Sequence, residues 1–319
     1  MRANLKQVLL SRSLKRNKGK SMEKKKIGLS IFDPQRIFGW EKTFEICRDA
    51  GFDAIDFNLE AYFLGDEIYG GSEDAFVSHF TKIKEKADEL GLEISQTHGR
   101  CWCWDPVDTS INERHYKICE KDLYATKILG GMPCVIHSLN TTRWGKQPPE
   151  VMREKNSEMF NSILPFAEKY QVKIAFETFG RATCAPGERT SEFFAYPEEM
   201  LRQYNDFNTE YKTICLDSGH THEAGNFWVP PVEDMIRILG KDITLTHLHD
   251  NTGVRDDHLL PTMGNIKWER VFDAFDEIGY NGVYNFELRT AFFGGMQEEA
   301  LKFYGKYLRK FVDGHGVVR

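Results

Sequence analysis

The chain has 319 residues, 41% of them apolar and 13% aromatic, and a formal net charge of −6. That is apolar content for a large core, yet no run approaches the ~20 apolar residues a membrane-spanning helix needs. The charge is uneven: residues 1–26 hold ten Lys/Arg against Glu23 alone, a net +9, which leaves −15 on the remainder. An acidic body disfavours nucleic acid as a partner, because such binding rests on basic surfaces.

The basic leader lacks the apolar core of a secretory signal, since Val8-Leu9-Leu10 is too short. Met22 opens MEKKKIGLS directly before the first expected strand, so residues 1–21 read as an addition ahead of a natural start. We take 1–26 as a basic, disordered extension and 27–319 as one catalytic domain. The seven cysteines are odd in number, scattered and without a C-x-x-C pair. They exclude a thiolate zinc knuckle and fit a reduced, cytoplasmic protein.

From there strand and helix patterns alternate to the C-terminus. Expected strands are 27–32, 54–57, 92–98, 134–137, 172–177, 213–217, 243–248 and 283–287, with amphipathic segments between them. Glycine follows most of the helical segments, as at Gly51, Gly91, Gly240 and Gly279, the usual stop signal. Eight such units at this length predict an α/β fold, a single-domain (β/α)8 TIM barrel. The competing open doubly wound sheet would carry a glycine-rich fingerprint after the first strand; Ser30-Ile31-Phe32-Asp33-Pro34 is not one.

Polar residues then fall in one place. Consecutive strands end in His98, His137, Glu177, Asp217, His247 and Glu287. In a parallel barrel these ends share the C-terminal mouth, where active sites sit. Glu177, Asp217, His247 and Glu287 are separated by 40, 30 and 40 residues, about one β/α unit each. Three carboxylates and an imidazole on four neighbouring strands suit one hard or borderline divalent cation, Mn²⁺ first, with Mg²⁺ or Co²⁺ next. The long polar loop after the seventh strand places Arg255 and His258 within reach of a substrate. His222 and His249 read as ordinary loop residues.

The segments AFET (175–178), LDSGHTHEAG (216–225), HLHD (247–250), DDHLLPTMGNIKW (256–268) and NFEL (285–288) resemble the xylose-isomerase-like barrels. That group includes sugar and sugar-phosphate isomerases and epimerases, and their relative endonuclease IV. The resemblance implies that Glu177, Asp217, His247 and Glu287 hold the metal and that Glu177 and Glu287 also exchange the substrate proton. It implies that His220 and Arg255 bind substrate oxygens, with His98, His137 and His258 beside them. Proton transfer next to a carbonyl, through a metal-stabilised enediolate, is the expected reaction of carbohydrate metabolism. The endonuclease branch uses more metal, and His98, His137, His220, Asp256 and His258 supply candidates for that larger, zinc-binding set. Alternatives therefore stay open: a multi-zinc phosphodiesterase, an inosose dehydratase, or a glycoside-cleaving barrel subunit. The expected partner is a small sugar, with no membrane; a homo-oligomer is open. The Ile-Lys-Trp ending at 266–268 favours the sugar branch.

Overall fold

A computed structural model of the chain describes residues 24–101, 104–139, 144–184, 188–191 and 193–318 and holds ten strands and ten helices among them; eight of the strands follow the expected alternation, and a short antiparallel pair falls outside it. The strands are β1 (Ile27–Ser30), β2 (Ala54–Asn58), β3 (Glu93–His98), β4 (Cys134–Val135), β5 (Ile174–Glu177), β6 (Arg181–Cys184), β7 (Glu188–Ser191), β8 (Lys212–Asp217), β9 (Ile243–His247) and β10 (Tyr284–Phe286). All but β6 and β7 form one parallel sheet in the order β10-β1-β2-β3-β4-β5-β8-β9. The sheet closes where the Leu248 amide donates to the Asn285 carbonyl at 2.8 Å and the Glu287 amide to the Leu248 carbonyl at 3.2 Å. This is a single-domain (β/α)8 TIM barrel.

The helices are α1 (Phe32–Phe38), α2 (Trp40–Ala50), α3 (Glu73–Leu90), α4 (Asn112–Leu129), α5 (Pro149–Tyr170), α6 (Pro197–Asp206), α7 (Ser218–Ala224), α8 (Val232–Leu239), α9 (Trp268–Ile278) and α10 (Gln297–Asp313). Their apolar stripes bury against the outer faces of the strands. Phe160 of α5, for example, meets Phe176 of β5 edge-on at 4.5 Å. Each such buried ring contributes about 1.5–3 kcal/mol. Inside the barrel a smaller cluster of Val135, Ala175, Cys215 and Leu245 fills the space below the mouth. Three helices end on glycines in the left-handed conformation, Gly51 (φ 89°), Gly91 (φ 67°) and Gly279 (φ 73°), where a side chain would be strained.

Residues 1–23, with the expected start at Met22, lie outside the described residues. Among the described residues the barrel's contacts already include Lys24, Lys25 and Lys26, inside the segment assigned to the extension. Lys24 pairs with Asp53, Lys25 with Asp276 and Lys26 with Glu93, and the Lys26 carbonyl accepts the Tyr284 amide. Among the described residues no helix is long and apolar enough to cross a membrane.

Candidate active site

Side chains alternate along a strand. Phe176, Leu216 and Phe286 face the helices and are buried there, so the next residues, Glu177, Asp217 and Glu287, face the barrel axis. His247 ends β9 in the same layer. One ligand atom from each of Glu177, Asp217, His247 and Glu287 lies within 4.8 Å of the other three. Two atoms bonded to one ion at about 2.1 Å are separated by at most about 4.2 Å, so small side-chain adjustments bring all four onto one cation. His247 Nδ1 is 2.6 Å from Glu177 Oε1 and 3.3 Å from Glu287 Oε2. Its Nε2 faces the opposite way, 3.2 Å from Asp56 Oδ2 and 2.9 Å from the Gln96 side-chain amide. Asp56 and Gln96 thus anchor the far side of the ring and leave Nδ1 facing the carboxylates, the orientation a metal-ligating imidazole requires.

The wider set gathers around these four. His137 Nε2 is 2.7 Å from Glu177 Oε2. The His98 ring lies parallel to that of His247 at 5.4 Å and edge-on to His137 at 5.0 Å. Cys101 Sγ is 3.4 Å from His137 Nε2. Asp217 caps α7 by accepting the His220 amide at 2.6 Å, so the cap and the site share one carboxylate. The His220 ring reaches the Thr178 carbonyl through Nδ1 at 3.1 Å and approaches Asp256 Oδ2 at 3.6 Å through Nε2. His258 Nε2 meets Asp256 Oδ2 at 2.9 Å, and its Nδ1 meets the Glu287 carbonyl at 3.1 Å. These groups open into a cavity of about 390 Å³ whose lining adds Ser30, Phe32, Asp33, Arg36, Glu60 and Arg289.

Burial alone raises a carboxyl, yet the His247 and His137 rings hold Glu177 well below the usual carboxylate range. Burial also acts on Asp217, and His220 and His249 bring it below its ordinary value. Burial lowers an imidazole, but Asp217 and Asp256 hold His220 well above the usual range, and surrounding negative groups do the same for His247. Burial likewise opposes, and Glu287 and Asp256 overcome, the protonation of His258, which is raised to about 9. The negative groups of the mouth therefore favour the protonated forms of His220, His247 and His258. Asp256 Oδ1 is buried without a hydrogen-bond partner. A divalent cation would fit this donor set, held by the three carboxylates and by the lone pair that Nδ1 of His247 offers once its proton is released to solvent.

Arg255 lies apart from this group: its side chain is 76% exposed and pairs with Asp257 at 3.3 Å. The arginines that line the cavity are Arg36 and Arg289. Among the aromatic residues, Phe179 lines the cavity and stacks on His220 at 5.5 Å. Phe57 and Trp104 belong to the core, Trp40 packs edge-on against Phe44, and Trp228 is 96% exposed. Trp102 lies outside the described residues.

Sequence reasoning missed Asp56, Gln96 and Asp250. A buried acid inside the apolar strand AIDFN was the available signal for the first. Asp250 is fully buried and accepts from the Asn251, Thr262 and Ile266 amides and from Trp268 Nε1, at 2.9–3.2 Å. It folds the loop after β9 and so presents Asp256 and His258 to the mouth.

Residues 44–306 match the family model of the xylose isomerase-like TIM barrel. The chain belongs to that family. It is 27% identical over 160 residues, 48% of its length, to the inosose isomerase of Bacillus subtilis, 53% of which is covered. The chain thus spans about half the length of the curated relatives it matches. An L-ribulose 3-epimerase structure superposes with TM-score 0.67 at 19% identity, covering 92% of this chain and 94% of that one. The IOLI protein, solved with a bound zinc atom, superposes with TM-score 0.69 at 19% identity, covering 91% and 99%. At these identities the structural likeness speaks for the fold alone.

Proposed function

We propose that the protein is a divalent-metal-dependent isomerase or epimerase of a sugar or sugar phosphate. The observation that carries this reading is the convergence of Glu177, Asp217, His247 and Glu287 within 4.8 Å of one another at a barrel mouth. The family membership and the sugar-converting relatives support it. Mn²⁺ suits a set of three carboxylates and one imidazole, with Mg²⁺ and Co²⁺ as neighbours in preference.

A bound cation supplies Lewis-acid stabilisation of negative charge on the substrate's carbonyl and hydroxyl oxygens. The chain's own residues do the rest. Glu177 and Glu287 project from strands on opposite sides of β8–β9 and reach the cavity from different directions. One removes the proton beside the carbonyl. The other returns a proton to the opposite face of that carbon in epimerisation, or the proton is returned at the adjacent carbon in isomerisation. His220, His98 and His258 donate to substrate oxygens, and Phe32 and Phe179 offer apolar faces to the sugar.

The test is a panel of ketoses, ketose phosphates and inososes in deuterated water. Wild type incorporates solvent deuterium at a single carbon, and Glu177→Gln and Glu287→Gln abolish that incorporation with the circular dichroism unchanged. Full exchange in either variant refutes the assignment.

A second reading has its own observation. His98, Cys101 and His137 form one further group with metal-holding spacing, and His249, Asp256 and His258 another. Two or three zinc ions held there would favour phosphodiester hydrolysis, tested with abasic-site DNA.

A further inference from the structure

We infer that His249 is a positioning residue that holds the Asp217 carboxylate in place for the cation, an inference that rests on the reading of Asp217 as a ligand. His249 lies two residues past the end of β9 and is fully buried. Its Nε2 is 3.0 Å from Asp217 Oδ1 and 3.1 Å from Oδ2. A lone pair on Nε2 would set two acceptors face to face at that distance, so Nε2 carries the proton and donates to the carboxylate. Nδ1 is then an acceptor, and it is buried with no hydrogen-bond partner. The orientation of the ring is therefore set by Asp217 and by packing.

The surroundings are built for this one orientation. Ser218, next to Asp217, clamps the His249 backbone: its hydroxyl accepts the His249 amide at 3.0 Å and donates to the His249 carbonyl at 2.8 Å. The ring rests on Gly219. A Cβ there would stand 1.9 Å from the ring's Cε1 and 2.3 Å from Nδ1, so no residue with a side chain fits without displacing the imidazole. Asn251 fixes that turn by donating to the Gly219 carbonyl at 2.8 Å. The ring also stacks on His258, centroids 4.1 Å apart and planes 11° from parallel, and His258 bonds the Glu287 carbonyl. His249 thus ties Asp217 of β8 to the strand end that carries Glu287. Two of the four candidate ligands are braced through one imidazole that has no solvent exposure of its own.

Outer-sphere partners of this kind are typically worth 10–100-fold in metal affinity. Gln places an amide nitrogen near the position of His Nε2, whereas Leu keeps bulk and removes the donor. The experiment is Mn²⁺ titration, followed by electron paramagnetic resonance of the free ion, on metal-stripped protein. We expect one cation per chain throughout, about 10–100-fold weaker binding in His249→Leu, and binding within a few-fold of wild type in His249→Gln. Gly219→Ala, which displaces the ring while retaining every ionisable group, gives the same loss as His249→Leu and serves if that variant fails to fold. Unchanged affinity in His249→Leu overturns the inference, as does equal weakening in His249→Gln, which would assign the effect to ring packing. Loss of a whole equivalent of cation in His249→Leu also overturns it, because His249 would then be a ligand. A wild type that binds no Mn²⁺ fails earlier and overturns the reading of the site itself.

Discussion

Arg100 is the strongest test of what holds the mouth in shape. It lies two residues past the end of β3, is 3% exposed, and grips the fully buried Asp122 of α4 through Nε and Nη2 at 2.8 and 2.9 Å. Nη2 also donates to the Leu59 carbonyl at 2.7 Å, and the Tyr69 hydroxyl donates to Asp122 at 2.7 Å. The Arg100 carbonyl accepts the His137 amide at 3.1 Å, so this pair anchors the segment that carries His98, Cys101 and His137. Arg100→Met keeps the aliphatic bulk but strands a buried carboxylate and a carbonyl. Breaking a buried pair by removing one partner costs about 3–5 kcal/mol. The deficit depends on pH. Burial already raises the Asp122 carboxyl against the pull of Arg100, and without the guanidinium it rises further. A carboxyl whose folded pKa exceeds its unfolded value binds more protons when folded, so stability falls as pH rises through that pKa. Urea unfolding of metal-free protein should therefore show a larger deficit for Arg100→Met at pH 8 than at pH 5. Replacing Asp122 with Asn in the same chain should recover about 1–3 kcal/mol at pH 8. A deficit under 1 kcal/mol, or one equal at both pH values, would refute the reasoning.

The metal-free protein should lose stability with rising pH. His258 is raised from 6.5 to about 9, so its contribution, up to about 3 kcal/mol, is complete below about 6.5 and lost as pH passes 9. His220 and His247 act in the same direction. The melting temperature of chelator-treated protein should fall between those limits, and saturating Mn²⁺ should flatten the decline; a flat metal-free profile contradicts the electrostatic account. Below about pH 4 the depressed Glu177 and Asp217 act in the opposite sense, their stabilisation fading as pH falls through their folded pKa values. Asp250→Ala should cost about 2–4 kcal/mol, from four hydrogen bonds to a buried carboxylate, and weaken substrate binding by loosening the loop that carries Asp256 and His258. Normal KM and stability in that variant would show that the loop folds without it.

The β/α period made the barrel legible, because each strand is a short apolar run and most of the helices stop at a glycine. The strand-end polar residues were legible for the same reason: Phe176-Glu177 and Leu216-Asp217 place a charge one step after a core residue. Other features had no local signal. The antiparallel pair Arg181–Cys184 and Glu188–Ser191 is short and polar, without apolar alternation. The helix Ser218–Ala224 lies inside the motif region, where Asp217 acts both as cap and as site residue. Asp56 and Gln96 meet His247 across 191 and 151 residues, a contact that only barrel closure creates. Arg255 follows a familiar spacing, yet its loop is folded around Asp250 and turns that side chain to solvent beside Asp257.

Metal content per chain, measured by mass spectrometry on protein purified without added metal, tests the central claim most directly. The four-ligand account predicts close to one manganese, magnesium or cobalt per chain, lost on Asp217→Asn. Two or three zinc ions per chain, or one ion that survives Asp217→Asn, would contradict it.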